Sequence, residues 1–209
     1  MKRFTMLACA AAASAVPQSA TAATNIMTNW TIITAVGVIG TLRAGSPWGP
    51  GSTPVSLSAP VNGIFEPAAQ QWNNNSFWWD EDPSVNQSPV TWTIQLDQAY
   101  TVDRFLIQAD DNDSYLLEYW DGAVWQSAFA VPIVGGFGLQ TRDSGTVGLI
   151  TTDRYRFTAT GGDNYYSVSE IQAFQAVPEP GVWAMLIIGF GLVGHVLRRR
   201  RPTVRLQFV

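Results

Sequence analysis

Between Val90 and Asp97 the chain alternates strictly, with Val90, Trp92, Ile94 and Leu96 on one side and Thr91, Thr93, Gln95 and Asp97 on the other. A period of two places successive side chains on opposite faces of an extended strand, so this segment has one buried and one wet face. No long run within 23–176 repeats its apolar residues at the 3.6 spacing of a helix. The same reading predicts strands at 102–109 and 114–120. A two-residue Asp121-Gly122 turn then leads into a strand at 124–131, because an Asp-Gly pair readily takes the positive φ angles of a hairpin. Further strands are expected at 146–151, 154–160 and 165–174. Short strands separated by turn residues point to an all-β fold, an antiparallel jelly-roll sandwich.

The two ends obey different rules. Lys2 and Arg3 precede an alanine-rich apolar run from Phe4 to Val16, and Ala20-Thr21-Ala22 supplies an A-x-A cleavage site. A basic start, a short apolar stretch and small residues before the cut are what a signal peptidase accepts, so 1–22 reads as a signal peptide. Cys9, the single cysteine, lies inside that run with too few residues before it for a lipid-anchor signal. Residues 23–176 therefore hold no cysteine, and a domain of this size can be stabilised by its core without disulfides. At the other end, 182–197 is apolar apart from glycines and His195, and Arg198 to Arg201 follow at once. Sixteen helical residues cover about 24 Å, slightly under a ~30 Å hydrocarbon core. A transmembrane helix is expected there, with snorkelling arginines on the cytoplasmic side and the domain outside.

Charge is divided just as unevenly. Seven of the twelve basic residues lie in the two ends, whereas all sixteen acids fall between Ala23 and Pro180. Only Arg43, Arg104, Arg142, Arg154 and Arg156 oppose them there, a net charge of −11. Nucleic acid binding needs clustered Lys and Arg, so no nucleic acid partner is expected.

The segment joining domain to tail reads Val177-Pro178-Glu179-Pro180-Gly181-Val182-Trp183-Ala184. Pro178-Glu179-Pro180, then Trp183-Ala184, a short apolar helix and terminal arginines resemble the PEP-CTERM sorting signal in its PEPxxWA variant, over 177–201, with 202–209 as a remaining tail. The resemblance implies a Gram-negative bacterium whose exosortase recognises and cleaves the tail, placing the protein at the inner membrane as a precursor and then at the cell surface or in extracellular matrix. The physics suits that role: two prolines bar a regular helix and leave an extended segment for an enzyme to bind.

Within the domain, five segments occur in a telling order. They are Trp92 to Asp97, Tyr100 to Phe105, Tyr115 to Trp125 with its Asp121-Gly122, Arg154 to Phe157, and Ser167 to Ile171. From about residue 60 onward this order resembles the discoidin, or factor 5/8 C-terminal, family of galactose-binding-like jelly rolls. That resemblance implies a structural calcium between an early Asp-Gly loop and a late glutamate. Asn62-Gly63 stands at the early position, with Asn in place of Asp, and Glu170 at the late one. The other reading of Glu170 is a carboxylate paired with an arginine such as Arg156.

Catalysis fares badly on inventory. Residues 23–176 contain no Cys, His or Lys, which removes cysteine nucleophiles, Ser-His-Asp triads, histidine-ligated zinc and Schiff-base chemistry together. Carboxylates remain, in Asp80-Glu81-Asp82 and Asp110-Asp111-Asn112-Asp113. They read either as solvated loops, as a calcium loop without EF-hand spacing, or as the opposed pair a glycosidase needs. Aromatic residues give the other signal. Trp72, Trp78 and Trp79 lie in a polar stretch, QQWNNNSFWWDED, with no strand alternation. Rings flanked by amides and carboxylates are how binding modules hold sugars, the ring against the C–H face and the polar groups on the hydroxyls. The alternative is that these rings plug one end of the sandwich, as is expected of Trp92 and Trp125. The whole reading is a non-enzymatic, surface-sorted protein that binds or organises extracellular polysaccharide. The rivals are a structural matrix protein without a ligand and a carboxylate-based glycan-active enzyme.

Overall fold

A computed structural model of the chain describes residues 23–37, 41–42, 53–54, 56–81, 89–177 and 180–199. The expected signal peptide, Pro178 and Glu179 of the sorting motif and the 202–209 tail lie outside the described residues. The chain divides into two units, Ala23–Ala176 and a smaller one that holds the described residues from Val177 on.

Among the described residues the larger unit has nine strands: β1 (Trp30–Val36), β2 (Thr41–Leu42), β3 (Thr53–Pro54), β4 (Phe77–Asp80), β5 (Thr91–Asp110), β6 (Ser114–Trp120), β7 (Trp125–Val131), β8 (Leu139–Gly161) and β9 (Tyr165–Gln175). Every pairing is antiparallel. β2 and β3 pair only with each other, and the other seven form one hydrogen-bonded network. That network is folded into two layers by its two long strands. The first half of β5 pairs with β1 and with the second half of β8, which pairs in turn with β6 and so reaches β7. The second half of β5 pairs with β9 and with the first half of β8, and β9 carries β4.

Four of the expected strands are therefore halves of two. Alternation is interrupted at Asp97–Tyr100, and the ladder slips register there and again between Val102 and Leu106. A slip of this kind bends and twists a strand without ending it, so one continuous strand can serve both layers. The Asp121-Gly122 turn is also corrected. The loop takes four residues, 121–124, closed by Asp121 N–H on the Val124 carbonyl and by the Asp121 carboxylate accepting the Ala123 and Val124 amides, both at 2.8 Å.

Between the layers, the face forecast for 90–97 is fully inward: Val90, Trp92, Ile94 and Leu96 are all buried. Tyr115, Leu117, Tyr155 and Phe157 complete that side, against Phe105, Ile107, Val168, Ile171 and Ala173 of the other layer. Phe77-Trp78-Trp79 is buried at three consecutive positions. Such a strand is covered on both faces and cannot alternate, which is why its sequence does not announce β4.

The smaller unit contains a helix, α1 (Pro180–Arg199), longer at both ends than 182–197. Its described apolar side chains, among them Ile187, Phe190 and Leu192, are exposed. Among the described residues no helix is long and apolar enough to cross a membrane, and the expected spanning helix is not shown.

Candidate functional site

At one end of the sandwich the 67–76, 111–113, 132–138 and 162–164 segments meet. Backbone hydrogen bonds lock them. Val134 and Gly135 N–H donate to the Asp111 carbonyl, Ala69 N–H to the Leu139 carbonyl, and Leu139 N–H to the Gln70 carbonyl at 2.9 Å. Gly138 fits only because it lacks a side chain: a Cβ there would stand 1.9 Å from the Gln70 carbonyl oxygen, at a φ of +60°. Gly162 is held as tightly, 1.8 Å from Asp113 Oδ1 by the same measure.

Arg142, 3% exposed, lies under these loops. Its guanidinium donates to the carbonyls of Pro132 (3.1 Å), Ala109 (2.6 Å), Gln140 (2.9 Å) and Asp110. A rigid five-donor fork suits a convergence of carbonyls, and it anchors 132–138 to the β5–β6 turn. Burial lowers the Arg142 pKa, and the acids around it oppose that shift. The three aspartates among them are themselves buried. Asp110 and Asp113 are pushed up to about 7, in each case mainly by loss of water, with Coulombic repulsion from Asp113 adding for Asp110 and from Asp163 for Asp113. The Asp113 carboxylate accepts the Tyr115 hydroxyl at 3.0 Å, and Tyr115 accepts the Ser167 amide at 3.1 Å. These carboxyls have the raised pKa of a general acid, but they are committed to the protein's own donors beneath the loops.

The locked loops leave polar and aromatic groups outward. Phe137 is 55% exposed and Tyr165 38%. Exposed Asn112 and Asp163 are bonded to each other at 2.9 Å. Trp72 is half-buried and touches Tyr165 at a centroid distance of 6.0 Å and Trp78 edge-on at 5.2 Å.

The three tryptophans predicted as a ring platform thus separate. Trp79 is fully buried and Trp78 nearly so, and both are corrected to core. Trp79 packs against Phe77, Tyr115 and Tyr166, with its indole N–H on Glu81 at 2.8 Å. Only Trp72 keeps contact with solvent. The asparagines beside them serve a turn: Asn75 takes a φ of +60°, which Asn tolerates better than most residues, and Asn73 is buried. Phe137 carries no periodicity, and its one sequence signal is the glycine run Gly135-Gly136-Phe137-Gly138. Trp125 is corrected in the opposite direction, from core to half-exposed on the outer face, whereas Trp92 is core as expected.

Asn62 and Glu170 do come together. Glu170 is fully buried, its Oε1 accepts the Gly63 amide at 3.1 Å, and its Oε2 has no partner. Burial pushes the carboxyl up to about 8, opposed by the Gln172 side chain and the amides of the 62–64 turn. The ion pair with Arg156 is absent: Arg156 pairs with Glu118 instead. These residues do not fit a calcium cage. The groups turned toward Glu170 are N–H donors, whose hydrogens repel a cation, and the Asn62 Oδ1 already accepts the Ile64 amide at 2.7 Å. Among the described residues no group of three or more acidic, His or Cys side chains could hold a metal ion.

Of the sorting residues, Pro180, Trp183 and Ala184 fall at the start of α1, with Pro180 as its first residue, where a proline is tolerated. Residues 176–201 match the family described as the PEP-CTERM protein-sorting motif. The tail is a PEP-CTERM sorting signal. It marks the protein for export and surface sorting. No curated protein matches the chain. Among solved structures, the family 32 carbohydrate-binding module of Streptococcus pneumoniae EndoD is similar, at 14% identity and a TM-score of 0.48, over 73% of this chain and 100% of that one. The family 32 module of Clostridium perfringens NanJ, in complex with galactose, gives 14% and 0.44 over 73% and 98%. A chitosan-binding module from a Paenibacillus sp. IK-5 chitosanase/glucanase gives 19% and 0.45 over 72% and 98%. Values this low give no ground for transferring any residue's role.

Proposed function

We propose that the protein is a non-catalytic polysaccharide-binding protein of the cell surface or extracellular matrix, delivered there when an exosortase-type enzyme processes its tail. The observation that carries the binding reading is the locked loop end. Phe137, Tyr165 and the edge of Trp72 stand out beside Asn112 and Asp163 on segments already fixed by Arg142 and the backbone bonds. A surface ordered before binding loses little freedom when a sugar arrives, which is what a modest contact area needs in order to bind. Rings for C–H faces and amide or carboxylate groups for hydroxyls are the matching chemistry. The absence of Cys, His and Lys from 23–176 supports binding without turnover.

A glycan array probed with the full-length chain tests this reading. Saturable binding to a glycan subset, weakened roughly fivefold or more by Phe137→Ala or Tyr165→Ala with the melting temperature kept, is the expected result. No saturable binding would leave the protein a structural matrix component. Hydrolysis of a bound glycan would make it an enzyme.

A further inference from the structure

The outer face of the layer formed by β1, β5, β8, β6 and β7 carries a second set of groups, on strands rather than loops. Trp120 and Trp125 are cross-strand partners, with ring centroids 5.4 Å apart and planes at 64°. The Arg156 guanidinium lies 4.7 Å from the Trp125 ring centre and is bonded through both Nε and Nη2 to Glu118. This clamp fixes Trp125 and neutralises Arg156. Two residues along β8, on the same face, Arg154 is the partner of Gln95 and donates to its Oε1 at 2.7 Å. Arg154 is the one arginine of the described sandwich with neither a carboxylate nor a backbone carbonyl bonded to it, and its remaining donors are uncommitted. All four residues are half-exposed.

We propose that this face is a second binding site, distinct from the loop end, for an extended neutral polysaccharide. From Gln95 through Arg154 and Trp120 to Trp125 the groups cross four strands, about 15 Å at the usual strand spacing, on a surface with the flatness of a sheet. A flat row suits a chain laid along it, with Trp120 and Trp125 against sugar faces and the Arg154 fork on paired hydroxyls. Charge selects the neutral class. Glu118, Asp121 and Asp153 lie on or beside the face and offset Arg154 and Arg156, and residues 23–176 carry a net charge of −10. A polyanion would meet repulsion on every side.

Affinity electrophoresis of the full-length chain through gels containing hydroxyethylcellulose, galactomannan or alginate decides the matter. Retardation by a neutral polymer is expected, reduced roughly tenfold in apparent affinity by Trp125→Ala and by Arg154→Gln. Leu149→Ser, at an exposed position in neither set of residues, should leave that retardation unchanged. Arg154→Gln removes no core contact, so it keeps the test valid should the tryptophan variant fold poorly. Retardation by alginate alone, by no polymer, or equally by wild type and both variants would overturn the proposal. Loss with Phe137→Ala but not with the sheet variants would do so too, while leaving the loop-end reading intact.

Discussion

Arg142 and Arg156 lie on the same strand, the first 3% exposed and the second with a third of its side chain in water. Each is multiply hydrogen-bonded, yet the partners differ in kind. Arg142 takes backbone carbonyls and has its pKa lowered by burial, whereas Arg156 takes the Glu118 carboxylate and has its pKa raised by that bond. Buried without a bonded counter-charge, an arginine is costly to keep, and its return is to satisfy several carbonyls at once and fix the loops that own them. Near the surface the same group is easily neutralised and can be used to orient a ring. The loop end is therefore a place where polar groups hold structure, and the outer face one where they meet solvent.

The comparison is broken most directly at Arg142. Arg142→Met should cost about 3–5 kcal/mol in chemical denaturation, since four carbonyls lose their donor in a buried site. Arg142→Lys should recover only part of it, because an ammonium cannot span the same fork. A fully stable Arg142→Met protein would show that the loops are not held from below.

The next largest effect is in pH. Asp110, Asp113 and Glu170 all have folded pKa values raised above the unfolded carboxylate range of about 4. Their contribution is thus fully present below about pH 4 and is lost as pH rises through about 7 to 8. Melting temperature should fall between pH 5 and pH 8.5, and Asp110→Asn should raise it at the alkaline end while keeping the bond to the Asp111 amide. A melting temperature that rises over this interval would contradict the burial of these groups.

On the outer face the expected changes are small. Glu118→Gln should cost about 1 kcal/mol or less, as for other pairs near the surface, and a larger loss would make this face structural. Smallest of all is the response to calcium. Millimolar calcium or a chelator should leave the melting temperature unmoved, and Glu170→Gln should melt no lower than wild type at pH 8.5. A calcium-dependent rise abolished by Glu170→Gln would restore the metal site.

How much was legible depended on whether the signal was local. Alternation in 90–97 named both the strand and its inner face because each residue's environment there follows from its parity alone. Ser114–Trp120 and the sorting tail were equally plain, the first from strand composition and the second from a motif read in order. Phe77-Trp78-Trp79 was opaque because a strand buried on both faces has no period, and its neighbours lie some ninety residues away on β9.

By itself, then, the sequence determined an antiparallel β-domain without cysteine chemistry, a strongly acidic balance and a tail addressed for sorting, since periodicity, inventory and motif are properties of neighbouring residues. Tertiary structure alone decided which tryptophans were core and which stood in solvent. It also set Glu170 Oε1 against the Gly63 amide and gave Arg142 and Arg156 opposite environments. Each of those outcomes depends on what lies across a strand or under a loop from residues far away in the chain, and burial of that kind has no signature in the residue itself.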